Sequence, residues 1–245
     1  MKNTLLWLVT LIICQACQAQ GQQGPSETLL AGEQALHAGN SQEAIRQFDV
    51  ILQKNPKQER ALVLRSNAKY KLRDYQGAIQ DAQQVLAINP GQFSEQDYTA
   101  LLNLGITYNS LRQFDQARRY FNQAKKADST DIRMYEGIGY SFLEEQNYPA
   151  ALAEFTQSVT VNPTSKTSFY GIGKVHMLLK QYPQAIQAYD QAIKLDPSYA
   201  MAYQNRATAK YQAQDLAGCC ADLQRCQALG VDNAAVNSFR DQVCH

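Results

Sequence analysis

An alanine followed four residues later by an aromatic or apolar residue recurs along this chain at nearly constant spacing. The pairs are Ala44/Phe48, Ala78/Ala82, Ala117/Phe121, Ala151/Phe155 and Ala185/Tyr189, with the alanines 34, 39, 34 and 34 residues apart. A further step of 34 reaches Cys219/Leu223, again a small residue followed by an apolar one. The same step links Asn55-Pro56 to Asn89-Pro90, and Asn162-Pro163 to Asp196-Pro197, while Asp128-Ser129 keeps the phase without a proline. The one longer interval holds five extra residues in the polar stretch Gly91 to Asp97, read as a loop insertion. A period of this length marks one supersecondary unit per repeat. Such a unit cannot bury its apolar face alone, so neighbours must stack.

Each period contains two amphipathic stretches. Leu101, Leu104, Gly105, Tyr108 and Leu111 follow the i, i+3, i+4, i+7 spacing of a helix, and a second stripe runs Phe114, Ala117, Phe121, Ala124 after Arg112-Gln113. The unit is therefore helix, tight turn, helix. Asn-Pro and Asp-Pro close the second helix, because the residue before proline is pushed out of the α region. Pro149 and Pro183 fall in the first turn of their helices, where the missing N–H costs little.

A unit of this length with a small residue in its first helix, alanine then an aromatic in its second, and a closing proline resembles the tetratricopeptide repeat. The small residues are Gly32, Gly105, Gly139 and Gly173, with Ser66 and Ala207 in two divergent units. Tyr108 and Phe142 fill the later aromatic slot of the first helix, whereas Ala35, Lys69 and Lys210 stand there in the first, second and sixth units. Tyr75, Phe114, Tyr148 and Tyr182 open the second helices.

The resemblance implies an all-α fold, a right-handed superhelical solenoid of about six helix–turn–helix repeats. They run over about 26–58, 59–92, 98–131, 132–165, 166–199 and 200–231, with a capping helix in 232–245. It also implies a concave groove lined by first-helix residues that face away from the second helix. Carried onto this chain, the groove candidates are Asn67, Tyr70, Asn103, Asn109, Arg133, Glu136, Tyr140, Tyr170, Lys174, Asn205 and Tyr211. Tyrosine offers wide contact area with a polar tip, and amides can hydrogen-bond an extended peptide. A clamp for two carboxylates is not expected, since Val63 and Gly137 stand where further basic groups would be needed.

The implied function is non-enzymatic binding of a peptide or helix of a partner protein. The alternative is a structural or assembly accessory that self-associates or acts through its convex face. With 18% charged residues, a net charge of +1 and no Lys/Arg block, nothing draws the chain to nucleic acid. No cofactor or metal is expected. Gly137-Ile138-Gly139 and Gly171-Ile172-Gly173 look like dinucleotide-loop fragments, but each lacks the third glycine and follows no strand. No nucleophile–base pair or metal triad includes His37, His176 or His245, so no enzyme is expected.

The start of the chain has a different character. Met1-Lys2-Asn3 is followed by an almost wholly apolar run from Leu5 to Ile13, then by small and polar residues to Gln20. A run this short cannot span a bilayer, which takes roughly 20 residues. Its layout is that of a signal peptide over 1–19, followed by a polar linker over 20–25. Cys17 after Ala16 resembles a bacterial lipoprotein signal, although Cys14 and Gln15 depart from that pattern. The protein is expected in a bacterial envelope or outside the cell. It is free if Cys17 is unmodified, and held at the membrane only through that lipid if it is acylated.

Four cysteines lie near the end: Cys219, Cys220, Cys226 and Cys244. Cys219 and Cys226 are about two turns apart on one helix, roughly 10 Å, and cannot pair. An antiparallel final helix from Asn233 would return Cys244 to the start of the helix that carries Cys219 and Cys220. Cys220–Cys244 is the first expectation for a disulfide, and Cys219–Cys244 the second.

Overall fold

The structure is a computed structural model that describes residues 25–231 and 234–244. The segment expected to be a signal peptide, Cys17 with it, and nearly all of the expected 20–25 linker lie outside the described residues. Thirteen helices and no strand are found among the described residues. They are α1 (Pro25–His37), α2 (Ser41–Lys54), α3 (Glu59–Lys71), α4 (Tyr75–Leu86), α5 (Glu95–Ser110), α6 (Phe114–Ala127) and α7 (Arg133–Glu144). There follow α8 (Tyr148–Val161), α9 (Lys166–Leu178), α10 (Tyr182–Leu195), α11 (Ala200–Gln212), α12 (Leu216–Ala228) and α13 (Ala234–Val243). None of these is long and apolar enough to cross a membrane.

The chain divides into two compact units, one ending at Thr107 and the other beginning at Tyr108. Within the first, α1 packs on α2, α2 on α3 and α3 on α4. Within the second, each helix from α6 to α13 packs on the next, and the first helices α7, α9 and α11 touch in turn. The result in each unit is a series of stacked helical hairpins, with the recurring alanine and aromatic at the centre. Ala44, Ala117, Ala151, Ala185 and the rings of Phe48, Phe121, Phe155 and Tyr189 are all buried.

The turn within each hairpin has a fixed shape. Arg73, Arg112, Gln146, Lys180 and Gln214 adopt positive φ, and so does Gly39 at the equivalent place. The next residue starts the second helix as its cap: Asn40, Asp74, Asn147 and Asp215 each accept a backbone N–H three residues on. Side chains other than glycine cost roughly 1–2 kcal/mol in the left-handed region. Lys180→Gly is therefore expected to stabilise the protein by about 0.5–1 kcal/mol, after its larger unfolded-state entropy is deducted. Urea unfolding of the exposed-site variant checks this.

The five extra residues are not all loop. α5 begins at Glu95 and gains nearly a turn over its counterparts. The cause is a capping box. Ser94 N donates to the Asp97 carboxylate at 2.8 Å, and Asp97 N donates to Ser94 Oγ at 3.1 Å. The insertion thus divides between the turn at Gly91 (φ +97°) and the start of α5.

Candidate functional site

The sequence candidates lie on first helices, but the structure gives them different tasks. Three amides are tied to neighbouring repeats. Asn103 Nδ2 donates to the Val63 carbonyl at 3.2 Å, and Asn109 Nδ2 donates to the Gly137 carbonyl at 2.8 Å. Asn205 Nδ2 donates to the Tyr170 hydroxyl at 2.7 Å. Asn109 Oδ1 also accepts from Ser141 at 2.6 Å. These bonds join successive first helices, and those donated by Asn103 and Asn109 end on backbone carbonyls of the neighbouring helix.

Tyr170 was expected to line a groove, but only 5% of it is exposed. Its ring packs 5.8 Å from that of Tyr189 and 5.3 Å from that of Tyr199, within the core shared by α9, α10 and α11. The aromatic position faces the next repeat because a partner ring is available there. Arg133 is held by Asp131, whose carboxylate accepts from its Nε at 2.7 Å. Tyr211 lies edge-on to Phe239 of α13 at 5.2 Å. In the first unit, Asn67 and Tyr70 are half-buried on α3, with the Tyr70 ring tilted against Tyr75.

Glu136, Tyr140 and Lys174 are brought together on α7 and α9. The Tyr140 ring stands edge-on to Phe155 with centroids 5.0 Å apart, and Lys174 Nζ lies 5.9 Å from its centroid. Glu136 accepts from the hydroxyls of Ser165 and Ser168 at 2.7 and 2.8 Å. Sequence reasoning missed those serines, and it missed Tyr199 and Lys166. Lys166 Nζ pairs with Asp196 at 2.5 Å and sits 5.3 Å from the Tyr199 ring. Tyr199 precedes α11 in Pro-Ser-Tyr, a position with no helical phase to mark it.

The tyrosines form an electrostatic group. Burial is the main cause that pushes the Tyr140 phenol well above the ordinary range, and Tyr199, Tyr170 and Glu136 add to it. Tyr189 is raised in the same way, and its hydroxyl has no hydrogen-bond partner among the described residues. Tyr199 is pushed up to about 12, chiefly by burial. Each folded pKa stands above the unfolded value near 10, so the folded state prefers the neutral phenol. That contribution is fully present below about pH 10 and is lost as pH rises through about 12. Urea midpoints are therefore expected to fall above about pH 10. A midpoint independent of pH there would contradict the burial of these phenols.

Cys220 and Cys244 place their Sγ atoms 2.10 Å apart, with Cα atoms separated by 5.5 Å. Cys219 and Cys226 are instead buried thiols among Ala207, Leu223 and Val236. Burial, with help from Asp222, pushes the Cys226 thiol up to about 11. It stays protonated and unreactive at neutral pH. Among the described residues, no three His, Cys, Asp or Glu side chains group as a metal site would require.

Profiles of the tetratricopeptide repeat match residues 29–93, 69–137 and 167–199. No curated protein matches the sequence significantly. Among solved structures, PilW, a widely conserved type IV pilus biogenesis factor, is similar over 89% of this chain and 99% of its own, with a TM-score of 0.76 and 16% identity. A thermophilic TPR protein from Thermus thermophilus matches 76% of this chain and 98% of its own, at TM-score 0.64 and 16% identity. The APC/C hetero-tetramer Cut9–Hcn1 contributes a chain of which only 43% is spanned, against 90% of this one, at TM-score 0.76 and 15% identity. The repeat profiles and the hairpin-on-hairpin packing lead to one conclusion: this chain belongs to the tetratricopeptide repeat family, whose repeats are protein-interaction modules.

Proposed function

We propose that the protein is a non-enzymatic scaffold that binds a peptide or helix of a partner through the first-helix face of α7, α9 and α11. The observation that carries this reading is the held arrangement of Tyr140, Lys174 and Glu136. The Tyr140 ring is fixed by Phe155, and Lys174 stands over it. Such a surface loses little side-chain freedom on binding, which favours affinity. The amides of Asn109 and Asn205 act mainly to hold the helices of this face to their neighbours rather than to contact the ligand.

The setting is a bacterial envelope, reached through the signal peptide over 1–19, with Cys17 as the lipid-anchored alternative. The type IV pilus role of PilW belongs to that protein, since 16% identity speaks to fold alone. An oxidising compartment suits the Cys220–Cys244 bond, which would fasten α13 to α12. Mass spectrometry of the exported protein, with and without reductant, reads both the lipid and the disulfide.

The test of function is crosslinking and recovery of partners from cells that express the native chain and Lys174→Glu. Lys174 is half-buried, so its reversal changes the face and not the core. A partner recovered by the native chain and lost by the variant supports the reading. Recovery of self-oligomers alone replaces it with an assembly accessory.

A further inference from the structure

Arg206 stands 141 positions after Arg65, and the two have the same surroundings. Arg65 binds Asp49 and Asp81, and Arg206 binds Asp190 and Asp222. This offset also carries an open pocket of the first unit onto the second. The pocket, of about 290 Å³, is lined by Asp49, Leu52, Pro56, Leu62, Arg65 and Gln84. Their counterparts are Asp190, Ile193, Pro197, Tyr203, Arg206 and Arg225. The frames agree in detail. Gln84 Nε2 donates to the Pro56 carbonyl at 2.9 Å, and Arg225 Nη2 donates to the Pro197 carbonyl at 3.4 Å.

The copies differ where Leu62 replaces a tyrosine. Tyr203 places its ring 5.3 Å from the Arg206 guanidinium and 6.0 Å from that of Arg225. Leu62 is buried at 1% exposure and is too short to extend a ring along that path. Arg65 and Gln84, which line the pocket beside Leu62, are the counterparts of the two arginines that flank the Tyr203 ring. At about 290 Å³ the pocket falls at the lower bound of roughly 300–1,000 Å³ for small-molecule sites, a size that suits one side chain.

We propose that this pocket is a second binding site, which takes an aromatic side chain, tyrosine above all, from a partner protein. The ring seats against Arg65 as Tyr203 does against Arg206. Arg65 is already ordered by its two aspartates, with Nε and Nη2 on Asp81 at 2.8 and 2.7 Å and Nη1 on Asp49 at 2.6 Å. Its guanidinium face is therefore available for cation–π contact without further ordering. Asp49, with 44% of its side chain exposed, stands at the rim to accept the phenol hydroxyl. Leu52, Pro56 and Leu62 supply the apolar wall. This site is separate from the first-helix face and does not depend on it.

The probe is 4-methylphenol, titrated into the isotope-labelled full chain and followed by amide NMR. The expected result is saturable shifts at Leu52, Gln53, Leu62 and Gln84 at a Kd on the order of 1 mM, with Ile193, Lys194, Tyr203 and Arg225 unmoved. Leu62→Tyr supplies the ring from within and should weaken binding at least about tenfold. Gln84→Arg adds the guanidinium found at Arg225 and should tighten it about threefold, which keeps the test decisive if Leu62→Tyr fails to fold. Four-methylcyclohexanol, of similar shape without a π face, should bind at least about threefold more weakly. The proposal is overturned by the absence of saturable shifts in the native chain, by unchanged binding in folded Leu62→Tyr, by no gain in Gln84→Arg, or by equal binding of the saturated probe.

Discussion

Asp222→Ala is expected to destabilise the second unit by about 3–5 kcal/mol, the cost of breaking a buried ion pair by removing one partner. Only 4% of the Asp222 side chain is exposed, and it answers two cations. Arg206 Nε donates to it at 2.8 Å and Lys210 Nζ lies 3.0 Å away. Burial alone would lower the Arg206 pKa, but hydrogen bonds to Asp222 and Asp190 outweigh that and raise it. Removing the carboxylate leaves two cations in a site that solvates neither well. Arg206 keeps only the half-exposed Asp190. Urea unfolding should show the loss, with Glu144→Ala as control. Its partner Arg112 is 67% exposed, and such pairs contribute about 0–1 kcal/mol. Equal losses in the two variants would refute the buried-network reading.

The same network explains why two repeats look degenerate in the sequence. Lys69 and Lys210 occupy a slot where other units carry an aromatic, and Ala82 and Leu223 stand where others carry Phe or Tyr. The structure shows a substitution of one kind of core for another. In these units Arg65 and Lys69 converge on Asp81, and Arg206 and Lys210 converge on Asp222. The signal is present in the sequence as Asp49/Arg65/Asp81 and Asp190/Arg206/Asp222 in one phase. An apolar template does not read it, because such a template scores charged residues as mismatches.

The helical hairpins were legible because their determinants are local and periodic: an apolar stripe, a capping residue, a proline that ends a helix. The candidate face was legible only in part. A first helix is packed by its own second helix, by the second helix of the repeat before it, and by the first helices before and after it. Helical phase places a polar residue on the outer arc but does not say whether it meets water or the next helix. Asn109 and Asn205 meet the next and previous helix, whereas Lys174 meets the Tyr140 ring. All three are polar residues on first helices. Their difference arises from which carbonyl or ring the adjoining repeat offers, a non-local fact.

Phe155→Ala carries the other large expected loss, about 3–5 kcal/mol for a fully buried ring. The surroundings of the ring set that value near the top of its range. A Cβ on Gly139 of its own repeat would meet Phe155 Cε1 at 2.9 Å, and one on Gly171 of the next repeat would meet it at 2.6 Å. The two glycine-spaced segments are thus notches, one for the ring of the same hairpin and one for the ring before it: Gly137 serves Phe121, and Gly173 serves Tyr189. With no side chains to collapse inward, the glycines cannot fill the space an alanine leaves. Tyr140, edge-on to Phe155, loses its support too. Gly171→Ala in the native background overpacks the notch and should cost roughly 1–3 kcal/mol. Combined with Phe155→Leu, whose side chain ends short of the ring edge, the added methyl should cost at least about 1 kcal/mol less than it does alone. Strict additivity in that double-mutant cycle, read by chemical denaturation, would mean that the ring and the notch do not meet as described.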